Sequence, residues 1–161
     1  MDIPGLSTLY AIHKRTIDRE NDVLRQRKDL SLELKTNCHR WSELLVSTFR
    51  DASNRWATEG RHAAVREILE LEQDFLRLDY CSLESDSPII AFLREDSSFR
   101  PFADACVSFY QSALSLKRMA RGDLMTVSAI QEAEREWRTE VERMLREVDH
   151  EHQKVRILVP R

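Results

Sequence analysis

Residues 34–56 read LKTNCHRWSELLVSTFRDASNRW, and the spacing of their apolar members decides the fold. Leu34, Cys38, Trp41, Leu45, Phe49, Ala52 and Trp56 recur at intervals of three and four. That rhythm puts all seven on one side of an α-helix, because 3.6 residues complete a turn. The surrounding composition agrees. Of 161 residues, 42% are apolar and 33% charged, while Gly (3) and Pro (4) are scarce. This balance suits packed helices with solvated faces; a β-sandwich would need more turn residues.

Working back from Leu34, only Pro4 and Gly5 interrupt a helix before Gly60. A seven-residue repeat runs through Ile3, Tyr10, Ile17 and Leu24, but its companion positions are Leu6, His13, Glu20 and Arg27, so the seam is half polar. Such a seam resembles the a and d positions of a coiled coil, where polar residues select register. The stretch KDLSLEL, residues 28–34, offers Asp29 or Ser31 as an N-cap. Residues 5–57 are therefore readable as one long helix or as two.

Working forward, Gly60 is a C-terminal stop. Ala64, Val65, Ile68, Leu69, Phe75, Leu76 and Leu83 predict a helix over 61–83. Ser87 before Pro88, and Ser98 with Pro101, mark two further starts, with a short helix near 88–95 between them. The segment FADACVSFYQSAL, residues 102–114, is apolar or small on nearly every side and predicts the central helix over 101–121. Gly122 ends it. Val127, Ile130, Trp137, Val141, Met144, Leu145 and Val148 then stripe a last helix to about residue 151, leaving VRILVP, residues 155–160, as a brief extended tail. The expected architecture is an all-α bundle of four to five helices in a single domain over 1–161, with 31–155 as the bundle and 5–30 as a helical arm.

Several functional classes find no support. No run of like charge reaches five residues, and basic Lys14, Arg15, Arg19, Arg25, Arg27 and Lys28 are interleaved with Asp18, Glu20, Asp22 and Asp29, a pattern of a solvated face and not of a nucleic-acid site. No apolar run approaches the ~18 residues of a membrane span, and the start MDIPGLSTLY lacks a secretion signal, which predicts a cytoplasmic protein. The three cysteines form no CxxC pair and read as reduced core thiols. Phosphate, dinucleotide and serine-hydrolase fingerprints are missing. No cofactor is expected.

The densest titratable cluster is EVDHEHQ, residues 147–153. With Val141 taken as the centre of the apolar face, Glu147 falls about 120° away and His150 about 180°, so their Glu-x-x-His spacing points outward, whereas bundle metal sites point inward. Other polar residues fall on apolar faces: Glu72 and Asp79 beside Ile68 and Phe75, and Glu134 and His152 beside Val141. A buried carboxylate demands a partner, so Glu72 and Asp79 are expected either to pair internally or to face a groove that another chain fills. With His13 and Glu20 they also supply the alternative reading, a carboxylate-histidine metal-dependent bundle enzyme, with a nucleic-acid-associated regulator behind it. The favoured expectation is a non-catalytic interaction or regulatory module. It would bind another protein or a second copy of itself through Leu6, Tyr10, Ile17 and Leu24 of the N-terminal helix, with Glu72 and Asp79 in the partner groove.

Overall fold

A computed structural model of the chain describes residues 6–67, 70, 83–120 and 126–160. These form five helices and no strand, an all-α bundle. Helix α1 runs without a break from Leu6 to Glu59, 54 residues and therefore about 81 Å. Residues 61–67 begin α2, whose expected continuation to residue 83 falls largely outside the described residues. Helices α3 (Pro88–Arg94), α4 (Arg100–Ala120) and α5 (Val127–Arg156) complete the bundle.

The open question in KDLSLEL resolves in favour of one helix. Ser31 is buried, and its hydroxyl donates back to the Lys28 carbonyl at 2.8 Å instead of accepting from a new helix N-terminus. Within a helix this is how a serine satisfies its own polarity without ending the run. From there Leu34, Cys38, Trp41, Leu45, Phe49 and Ala52 are all buried, as their spacing predicts, while Trp56 packs half-buried at the edge. Gly60 then stops α1 at φ +89°, a left-handed conformation that side chains with a Cβ resist. Its N–H donates to the Arg55 and Trp56 carbonyls. Among the described residues, and apart from the adjoining backbone, nothing lies within 4 Å of where a Cβ would stand, so the backbone angle, and not crowding, makes this a glycine site. An Arg55–Glu67 ion pair at 3.1 Å spans the turn.

The side chain of Ser87 caps α3 by accepting from the Ile90 N–H at 3.2 Å, with Pro88 in the first turn. The next start falls where Ser98 and Pro101 predict it, α4 beginning at Arg100 with Pro101 in its first turn. Asp96 supplies the turn, its carboxylate accepting from the Ser98 N–H at 2.8 Å and its carbonyl from Phe99 and Arg100. Arg94 ties this corner together, reaching Asp104 at 2.8 Å and the Ser85 carbonyl at 3.0 Å.

Helix α4 is the centre. Phe102, Ala103, Ala105, Cys106, Val107, Phe109 and Tyr110 are buried around much of its circumference, and it packs on α1, α3 and α5. Helix α5 lies antiparallel to α1: Asp149 meets Lys35 and His39, whereas the earlier Arg138 and Val141 share a groove with Ser42, Val46 and Arg50. Val141, Met144, Val148, His152 and Val155 form its buried stripe. The helix thus continues through Arg156, where an extended tail was expected from Val155, because Val155 is the next residue on that stripe and is itself buried. No described helix is long and apolar enough to cross a membrane.

Candidate functional site

The two longest helices differ by 24 residues, 54 against 30, and the difference appears at the N-terminal end of α1. The bundle's hold on that end begins at Leu24, which packs partly buried against the core, and is strongest at Arg27. Arg27 keeps only 13% of its side chain exposed. Its guanidinium donates to the Phe92 carbonyl at 3.3 Å, pairs with Glu95 at 3.3 Å and Asp96 at 3.5 Å, and lies 4.6 Å from the centre of the Phe92 ring. A planar cation suits this position, since it can stack on a ring while its edges serve a carbonyl and two carboxylates. The contact also places two negative side chains just past the C-terminus of α3, where helix carbonyls already concentrate negative charge, so the arginine neutralises what would otherwise repel.

N-terminal to this anchor α1 continues as a projecting arm. Tyr10 is 70% exposed and Ile12 56%. From Tyr10 to Glu20 every residue is exposed except Ile17, which is half-buried. Tyr10, Ile17 and Leu24 share a seam, being seven residues apart and so about 20° off alignment per step. Leu6 lies in the first turn of α1, and Glu72 and Asp79 lie outside the described residues. Ile12, which the seam does not include, sits about 160° round the helix from Tyr10. Its only signal in the sequence is that it closes the short apolar run of Leu9, Tyr10 and Ala11 before His13.

The EVDHEHQ cluster is a set of structural contacts. Glu147 and His150 face solvent. Asp149 accepts from His39 Nε2 at 2.8 Å and lies 3.6 Å from Lys35 Nζ, linking α5 to α1, and Glu151 pairs with Lys154 at 2.8 Å. His152 is only 5% exposed, and its ring lies 5.8 Å from that of Phe102 on α4. Burial lowers its pKa below the ordinary histidine value. The Lys35 and Arg156 charges push the same way, and Asp149 opposes them. Glu134, the other polar residue on the α5 apolar side, is held by Arg138 at 2.7 Å. Among the described residues, no group of three or more His, Cys, Asp and Glu side chains converges as a metal site would require.

Comparison with protein-family models, curated proteins and solved structures gives no match to this chain.

Proposed function

We propose that this protein is a non-catalytic helical interaction module that docks through the arm at the start of α1. The observation that carries this reading is the exposure of Tyr10, 70%, on a helix with neither α3 nor α5 alongside it at that level. Exposed aromatic side chains supply much contact area for little loss of rotamer freedom, which is why they anchor interfaces. An isolated amphipathic helix is only marginally stable in water. The partner is a helical surface of another chain, either a second copy or a different protein, contacted along Tyr10, Ile17 and the exposed side of Leu24. Leu6 extends the same seam by one turn, and Glu72 and Asp79 remain candidates for the partner's polar contacts.

The test uses the full-length protein carrying Tyr10→Asp and Ile17→Asp together. The variant should keep its helical circular dichroism and its unfolding midpoint, and should lose either mass in light scattering, if the partner is a second copy, or capture of its native partner. A deletion should begin at Asn21 and not at Leu30, because Leu24 and Arg27 belong to the bundle contacts. A double variant that unfolds would assign the seam to the core; one that keeps both mass and partner would remove the arm from the interface.

A further inference from the structure

The seam of the arm alternates at three and four residues, Tyr10, His13, Ile17, Glu20 and Leu24, and its next position is Arg27. Tyr10, His13 and Glu20 are exposed and Ile17 is half-buried, whereas Phe92, Glu95 and Asp96 close over Arg27. The seam is thus open through Glu20 and covered by the chain's own bundle from Arg27 onward, with Leu24 at the border. Resting on the reading that this arm is the docking surface, we propose that its occupant is the arm of a second copy, laid antiparallel about a two-fold axis at the level of Arg15.

Orientation follows from Arg27. In a parallel pair both copies of Arg27 stand at one level, and each brings its own α3 to the same seam, so the two bundles compete for one space. Glu20 would also face Glu20. Antiparallel pairing sends the bundles to opposite ends and makes the contact self-complementary. Register follows from the same anchor. Three registers interlock the seam, setting Tyr10 opposite His13, Glu20 or Arg27 of the second copy. Arg27 is already covered, and the His13 register leaves Glu20 opposite the chain ahead of α1, which begins at Leu6. The remaining register sets Tyr10 opposite Glu20 and His13 opposite Ile17, each twice by symmetry. There α1 of the second copy ends level with Leu24, one turn short of Arg27.

The facing groups suit each other. The Tyr10 phenol donates to the Glu20 carboxylate, which can only accept, while the Tyr10 ring and Ile17 cover apolar surface. Thr16, beside the axis, has its hydroxyl engaged on its own helix, donating to the Ile12 carbonyl at 3.0 Å, and brings no unmet donor to the contact. Lys14 of each copy flanks the axis with its ammonium in water. A paired length of about 27 Å falls at the small end of specific interfaces, below about 1,200 Å² in total, so the dimer is reversible.

Sedimentation velocity of the full-length protein over a dilution series should show that reversible dimer. Ile17→Asp should weaken it by at least ~100-fold, since symmetry brings two charges into the seam, with helical circular dichroism and unfolding midpoint unchanged. Orientation is read by cysteine pairing: Tyr10→Cys and Glu20→Cys are oxidised with copper phenanthroline, separately and mixed, beside the natural protein as control for its own thiols. A covalent dimer above that control should form only in the mixture. Self-linking of Tyr10→Cys alone, no link in the mixture, or an Ile17→Asp protein that dimerises as the natural one does overturns the proposal. A natural protein that is monomeric at every concentration overturns it too. In that case the Tyr10→Asp, Ile17→Asp double variant tells the two readings apart: lost capture of the native partner leaves the arm as a docking surface for a different protein, and unchanged capture removes both.

Discussion

His39 on α1 and Asp149 on α5 meet at 2.8 Å, ring Nε2 to carboxylate Oδ1, across the antiparallel interface of the two longest helices. The carboxylate can only accept, so Nε2 carries the proton. Lys35 stands one turn before His39 and reaches the same oxygen at 3.6 Å. One α5 carboxylate thus answers two α1 donors.

Because Asp149 and His39 keep 36% and 41% of their side chains in solvent, screening limits what this pairing contributes. A double-mutant cycle with His39→Ala and Asp149→Ala should return a coupling of roughly 0.2–1 kcal/mol. Chemical denaturation of the four proteins measures it. A coupling of about 3 kcal/mol would show that the pair is far better shielded than its exposure implies.

His152 predicts a pH dependence with a definite sign. Its folded-state pKa is depressed, so in acid the unfolded chain, whose imidazole titrates near ~6.5, takes up the proton first. Stability attributable to His152 is therefore intact above that value. It declines as pH falls from there toward the lower folded-state pKa. Urea midpoints between pH 8 and pH 5 should drop for the natural protein, and the drop should shrink in His152→Leu, which keeps an apolar contact with Phe102. An equal drop in both would assign the acid sensitivity to other groups.

Replacing Arg27 should cost more than a surface ion pair does. Arg27→Ala is expected to lose about 1–2 kcal/mol, since it removes a ring-stacked cation and leaves the Phe92 carbonyl with one donor fewer. Arg27→Lys should recover less than half, because a point charge cannot stack on Phe92 and serve the carboxylates together. Full recovery by lysine would reduce the site to simple charge pairing.

The residues that were legible in the sequence are those whose role depends on their own helix. Leu34, Cys38, Trp41 and Leu45 declare a buried face by spacing alone, Gly60 declares a stop by being a glycine, as its φ of +89° bears out, and the outward placement of Glu147 and His150 follows from 100° per residue. What stayed hidden depends on partners distant in sequence. Arg27 reads as one more charge on a solvated helix until Phe92, 65 residues later, is folded against it. Ser31 reads equally as a cap or as a helix-interior serine, and its burial against the bundle decides between them. The half-polar seam of His13, Glu20 and Arg27 likewise mixes two situations, because Arg27 is anchored whereas His13 and Glu20 are exposed.

The unbroken passage of α1 through Ser31 has a mechanical corollary. From Arg27 to Tyr10 is 17 residues, a stiff rod of about 25 Å held at one end. Tilting that rod by about 10° at its fulcrum would carry the tip about 4 Å, close to the width of one side chain, while the fulcrum itself hardly shifts. Small rearrangements where Arg27 grips the end of α3 are thus amplified at Tyr10. The same leverage runs backward: a force applied at the tip arrives at Phe92, Glu95 and Asp96 with a mechanical advantage.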